Sequence, residues 1–184
     1  MTVSMETEEE LLHELRAGSR NAGRRLYERY SGGLMAVCLR YLGGRDEARD
    51  VLQNVFVKVL TSLGHFRYQG EGSLKAWMTR ITVNESITFL RHDDRLTFND
   101  TLPDVPDAAE TQPGRVPPDV LQRLIGQLPT GYRTVLNLYV FEQLSHKEIA
   151  RRLGISEGTS ASQYSRAKKT LQYQINEYLK QQEQ

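Results

Sequence analysis

The chain has 184 residues, a formal net charge of +1 and 39% hydrophobic residues, so it holds one large domain or two small ones, each with a modest core. Its lone cysteine, Cys38, excludes an intramolecular disulfide and fits a reducing compartment. No apolar run approaches the length of a membrane span and the first residues carry no signal-peptide core, so a cytoplasmic protein without membrane insertion is expected.

In chain order the pattern is helical almost throughout. Thr7 and Glu10 form a capping box that starts a short helix, which stops near Gly18. Ser19 is expected to cap a longer helix through Leu26, Tyr30, Leu34, Val37 and Tyr41, weakened in its middle by Gly32–Gly33 and ended by Gly43–Gly44. Asp46 is expected to cap a third, in which Val51, Leu52, Val55, Phe56, Val59 and Leu60 make a broad apolar stripe. Residues 64–72 contain three glycines and read as a loop. Ser73 is expected to cap a fourth helix carrying Leu74, Trp77, Met78, Ile81, Ile87 and Leu90, with Trp77 read as core. Thr79 to Thr88 is rich in β-branched residues, yet its apolar spacing is helical rather than alternating.

The character then changes. His92 to Pro118 holds five of the six prolines and few large apolar residues, the composition of a linker. Two amphipathic helices follow, Asp119 to Leu128 and Tyr132 to Phe141, separated by Pro129. From Ser145 to Leu171 the spacing predicts two helices and a tight turn. Ser145 and Glu148 form a capping box, Gly154 suits a left-handed helix end, and Ser156 caps the second helix. Ala150, four residues before the turn glycine, lets the helices cross closely. This is the pattern of a helix-turn-helix, whose second helix is a natural groove reader. The fold expected is all-α: two small helical domains joined by a flexible acidic linker, the second ending in the helix-turn-helix.

Charge is unevenly spread. Asp93 to Asp119 carries seven acids against Arg95 and Arg115, whereas Ser145 to Lys180 carries seven bases against three acids. A polyanion is attracted to the last segment and repelled by the middle one. Catalytic patterns are missing: there is no phosphate-binding glycine loop, no Cys or His pair at metal-ligand spacing and no Ser–His–acid constellation. His13, His65, His92 and His146 are scattered and read as solvated or capping residues. No enzyme activity, metal or cofactor is expected.

Four segments in order carry a resemblance. They are LYERYSGGL (Leu26 to Leu34), DEARDVLQNVFVKVL (Asp46 to Leu60), SLKAWMTRITVNESITFLR (Ser73 to Arg91) and LPTGYRTVLNLYVFEQLSHKEIARRLGISEGTS (Leu128 to Ser160). Together they make the chain similar to the extracytoplasmic-function (group 4) sigma factors of the sigma-70 family, the promoter-specificity subunits of bacterial RNA polymerase. The resemblance implies a region 2-like domain over 1–92, a linker over 93–116 and a region 4-like domain over 117–184. It implies binding to core RNA polymerase, at the clamp helices of the largest subunit and at the flap, and to promoter DNA; an anti-sigma factor is a further partner it allows. It also implies that the linker threads the polymerase cleft, though a solvated spacer has the same composition.

The resemblance assigns roles to residues. Asp50, Gln53, Asn54 and Val57 sit at helical spacings that share a face, and the family implies that this face docks on the clamp. The loop and fourth helix are implied to capture a flipped base of the minus-ten element; Arg67, Tyr68 and Gln69 offer stacking and hydrogen-bonding groups for it, with Arg80, Asn84 and Arg91 holding backbone and bases. In the last helix the expected core side is Ser160, Tyr164, Ala167 and Leu171. The exposed side then offers Glu157, Thr159, Ser162, Gln163 and Arg166 to the minus-thirty-five element, where Gln pairs with adenine and Arg with guanine. Two departures stand out. The family often has an apolar residue at Ser160, whose loss softens packing unless Tyr164 compensates, and a basic one at Ala161. The alternative is a LuxR-like regulator, which shares the helix-turn-helix and binds duplex DNA without polymerase but normally brings an α/β domain.

Overall fold

The computed structural model describes residues 6–98 and 116–182. Among these there are eight α-helices, one short 3-10 turn and no strand: α1 (Glu8–Arg16), α2 (Arg20–Leu42), α3 (Arg45–Ser62), the 3-10 turn (Leu63–His65), α4 (Ser73–His92), α5 (Pro118–Gln127), α6 (Thr130–Val140), α7 (His146–Leu153) and α8 (Glu157–Gln182). The linker expected over 93–116 lies outside the described residues except for 93–98 and Val116. Two compact units result, one of residues up to Cys38 with Arg45–Phe89, the other of Leu39–Gly44 with the chain from Leu90 on.

In the first unit the local signals work as expected at the start. Thr7 and Glu10 close the capping box of α1, and Ser19 Oγ accepts from Ala22 N at 3.3 Å to cap α2. Gly32–Gly33 does not interrupt α2, which runs unbroken through both. Asp46 is not a cap. It lies inside the first turn of α3, where its charge still favours the positive helix end, and it pairs with Arg49 at 3.6 Å. The core is built from Leu11, Leu26, Val55, Val59, Leu74 and Met78, each fully buried. The β-branched stretch of α4 is helical, and its buried Thr82 and Ser86 hydroxyls are satisfied by donating to carbonyls four residues back, Met78 O at 2.9 Å and Thr82 O at 2.8 Å.

The second unit has α8 as its spine. Its inner side meets Ile125, Leu128, Tyr132 and Leu136 through Ala167, and Val116, Val120 and Leu124 through Ile175. The last helix is therefore longer than the Ser156-to-Leu171 segment expected, because Ile175, Tyr178 and Leu179 give its final turns apolar surface to bury. Arg133 is buried, and its guanidinium donates to the carbonyls of Gly126, Leu128, Tyr41 and Leu42. Satisfying a buried cation with four acceptors avoids the desolvation cost of an unpaired charge.

Candidate nucleic-acid interface

The helix-turn-helix forms as its spacing predicts. Ser145 and Glu148 complete a capping box on α7, Gly154 ends it at φ 71° in the left-handed region, and Ser156 Oγ accepts from Thr159 N at 2.9 Å to start α8. Ile149, Ala150 and Leu153 face inward.

The face of α8 turned to the core holds the four residues expected and adds Gln163. Ser160, Gln163 and Ala167 are buried, while Tyr164 and Leu171 are only half-buried. Gln163, expected on the DNA side, is 0% exposed, and neither its amide nitrogen nor its oxygen has a hydrogen-bond partner among the described residues. The reason lies on α6. Gly131 leaves room for the Gln163 side chain, and a Cβ there would come within 2.7 Å of Gln163 Oε1. Tyr164 swings to the edge of the core instead, with its ring 4.3 Å from that of Tyr139, which also stacks on His146 at 4.7 Å. His146 Nδ1 in turn sits 3.0 Å from Ser160 Oγ. The small polar Ser160 is thus accommodated by a hydrogen bond to His146 and by aromatic packing around it. His146, read as solvated or capping, in fact ties α6, α7 and α8 together.

The outward side of α8 consists of Glu157, Ala161, Ser165 and Lys168, with Ser162 and Arg166 half-buried beside it. Thr159 is less available than expected, since its hydroxyl pairs with Ser156 Oγ at 2.8 Å in the cap. Ser165 and Lys168 were not among the expected readers, yet they are exposed, whereas Gln163 is buried.

In the first unit the loop before α4 shapes a cavity of about 330 Å³, lined by His65, Phe66, Arg67, Gln69, Ser73, Ala76, Trp77 and Arg80. That volume falls in the range of small-ligand sites. Three expected residues, Arg67, Gln69 and Arg80, converge there; Tyr68 is not among the lining residues. Desolvation raises the phenol pKa of Tyr68, and the nearby carboxylates of Glu71, Glu9 and Glu8 add to it. Trp77, expected in the core, is half-buried and forms a cavity wall, its ring 4.7 Å from Phe66. Asn84 is exposed further along the same face of α4; Arg91, also exposed but in the second unit, donates from Nη2 to Arg152 O at 2.8 Å.

On α3, Asp50, Gln53, Asn54 and Val57 are all exposed and share one face. That face is partly apolar: Val57 is 63% and Leu60 46% exposed. Leu60, placed in the buried stripe at the sequence level, belongs to this surface instead. Among the described residues no helix is long and apolar enough to cross a membrane.

A helical unit with a polar, aromatic-walled cavity, followed by a helix-turn-helix unit with a basic outer helix, defines a nucleic-acid-binding protein of two helical modules. Comparison with known families makes the class specific. The sigma-70 region 2 model matches residues 26–96 and the sigma-70, region 4 model matches residues 119–171, together about two thirds of the chain. RNA polymerase sigma-H factor of Pseudomonas aeruginosa is 26% identical over 183 residues, 92% of this chain and 94% of that protein. ECF RNA polymerase sigma factor SigE of Mycolicibacterium smegmatis is 26% identical over 84% of this chain, which spans 60% of SigE. SigW of Bacillus subtilis, likewise an ECF RNA polymerase sigma factor, is 25% identical over 90% of this chain and 95% of its own length. A solved structure of CnrH in complex with the cytosolic domain of CnrY aligns over 90% of this chain with a TM-score of 0.46 and 24% identity. The chain belongs to the sigma-70 family, as an RNA polymerase sigma factor of the extracytoplasmic-function group. A region 2 match is not what a LuxR-like regulator would give, so that alternative is not favoured.

Proposed function

We propose that the sigma-factor work is divided between the two modules, with the region 2-like part over 1–92 binding core RNA polymerase and the unpaired minus-ten strand. The region 4-like part over 117–184 reads the duplex at the minus-thirty-five element, and residues 93–116 join them. On this reading the protein acts in the cytoplasm as a non-catalytic initiation factor.

The observation that carries the minus-ten assignment is the cavity before α4. A base taken out of the stack needs an aromatic wall, donors for its edge and a cation for the neighbouring phosphate. Trp77 and Phe66 supply the first, Arg67 and Gln69 the second, and Arg80 the third, all around one cavity. Asn84 and Arg91 extend the track along α4. Polymerase docking is assigned to Asp50, Gln53, Asn54 and Val57, with Leu60 added, because a surface of mixed polar and exposed apolar groups is what a protein partner covers. At minus thirty-five the readers are Glu157, Ser162 and Arg166, with Ser165 and Lys168 beside them. Thr159 serves the cap and Gln163 the interior, so neither is assigned to DNA.

In vitro transcription with purified core polymerase on a promoter library tests the reading. The chain should direct initiation from a defined two-element promoter and should bind core polymerase without DNA. Sequence-specific duplex binding with no affinity for core polymerase would refute it.

A further inference from the structure

The first turn of α4 has an unusual cap. Ser73, expected to fill that role, accepts from Gln69 N at 3.2 Å and so serves the loop instead. The amides at the start of α4 turn to Glu8, in a helix more than sixty residues earlier. Gly72 N and Leu74 N donate to Glu8 Oε2 at 2.9 and 3.0 Å, and Lys75 N donates to Oε1 at 3.3 Å. Tyr30 Oη also donates to Oε1, at 2.8 Å, and Glu8 is only 2% exposed. A carboxylate placed on the positive end of a helix, with four donors, is a strong anchor.

Further bonds hold the same loop. Glu8 N donates to Glu71 Oε2 at 3.0 Å, and Glu71 Oε1 accepts from Arg29 Nη2 at 2.8 Å. At the loop's other end, Arg16 Nη2 donates to Phe66 O at 2.7 Å. The residues between these ties include Arg67 and Gln69, which line the cavity. Gly70 and Gly72, at φ 104° and 90°, give the backbone freedom that would otherwise have to be lost on binding DNA.

We propose that α1 is a positioning clamp for the promoter-reading loop, with Glu8 holding its α4 end and Arg16 its Phe66 end. Neither residue is assigned to DNA contact; both act through Arg67 and Gln69 by fixing the loop before the strand arrives. The proposal rests on the minus-ten reading given above.

The test uses the full chain bound to core polymerase and measures open-complex formation on promoters varied at minus ten. Three controls accompany it: affinity for core polymerase, preference at minus thirty-five, and a swap of residues 65–71. Arg16→Ala and Glu8→Ala should each flatten the ratio of best to worst minus-ten sequence by threefold or more. Core affinity and minus-thirty-five preference should stay within twofold of wild type. Arg29→Ala should have the same effect, while Arg29→Lys, which keeps a cationic donor for Glu71 Oε1, should hold the ratio within twofold of wild type. A purely structural defect would instead lower the active fraction equally for every minus-ten sequence. If Glu8→Ala fails to fold, Arg16→Ala and the two Arg29 variants still decide. The clamp is overturned if the loop swap changes minus-ten preference while those variants keep the wild-type ratio. If the loop swap itself changes nothing, the minus-ten reading fails, and the clamp with it.

Discussion

The exposed apolar stripe on α3 makes the polymerase-docking assignment quantitative. Fully burying a Val or Leu side chain contributes about 1.5–3 kcal/mol. Val57 is 63% and Leu60 46% exposed in the free chain, so roughly half to two thirds of that contribution is still available to a partner. Covering both side chains should therefore add about 2 kcal/mol to binding. Replacing them together, Val57→Ser with Leu60→Ser, should weaken affinity for core polymerase about 30-fold, at 1.4 kcal/mol per factor of ten.

The fold should survive, since substitutions on exposed positions usually change stability by less than about 0.5 kcal/mol. The assay is competition against a labelled sigma factor for purified core polymerase, with circular dichroism to check helix content. Asp50→Ala with Gln53→Ala, on the same face, should weaken binding by a smaller factor, because polar groups at an interface edge exchange protein contacts for water. Wild-type affinity in the Val57/Leu60 variant, with helix content intact, would remove α3 from the interface and refute the reasoning.

Other expectations can be checked in parallel. Ala161 is exposed on the outer face of α8, so Ala161→Lys should strengthen minus-thirty-five binding and steepen its salt dependence by about 0.9 in log–log slope, the signature of one added phosphate contact. Gln163→Met should leave minus-thirty-five preference unchanged and raise the unfolding free energy by about 1 kcal/mol, because it removes a buried amide that lacks partners among the described residues; altered base preference in this variant would contradict its interior placement. Cys38 is fully buried, and desolvation pushes its thiol up to about 11 despite the opposing influence of the neighbouring Ser86 hydroxyl. Its thiolate should thus be scarce below that pH, and a thiol reagent at pH 8 should label it only after denaturant is added.

Much of the helical architecture was legible because its signals are local. Capping boxes at Thr7 and Ser145, the glycine at Gly154 and the apolar spacing of α3 each depend on residues within one or two turns. What escaped sequence reading depended on residues far apart. Nothing near Ser73 announces that its helix is capped by Glu8, and nothing near Gln163 announces the space left by Gly131. Asp46 and Ser73 both carried the chemistry of a cap, yet one lies a residue inside its helix and the other serves the loop. The site was legible in part for the same reason. Helix periodicity brings Asp50, Gln53, Asn54 and Val57 onto one face, whereas the convergence of Arg67 and Gln69 with Trp77 needs the loop to fold back on α4.

Three polar side chains sit where an apolar one would be simpler, and their partners differ in a way that bears on specificity. Glu8 accepts three backbone amides and a phenol, and Ser160 is paired with His146. Gln163 has no hydrogen-bond partner among the described residues. Satisfied buried polar groups favour one arrangement over its competitors, because any shift leaves them desolvated and unpaired. Glu8 thereby selects one register of the loop against α4, and Ser160 with His146 selects one approach of α7 to α8. Removing either partner should loosen geometry at a DNA-reading element before it unfolds the unit, so His146→Ala should broaden minus-thirty-five preference as well as cost about 1–2 kcal/mol of stability. A His146→Ala variant that is destabilised to that extent yet reads the minus-thirty-five element as sharply as wild type would show that the bond stabilises the unit without fixing the angle of its reading helix.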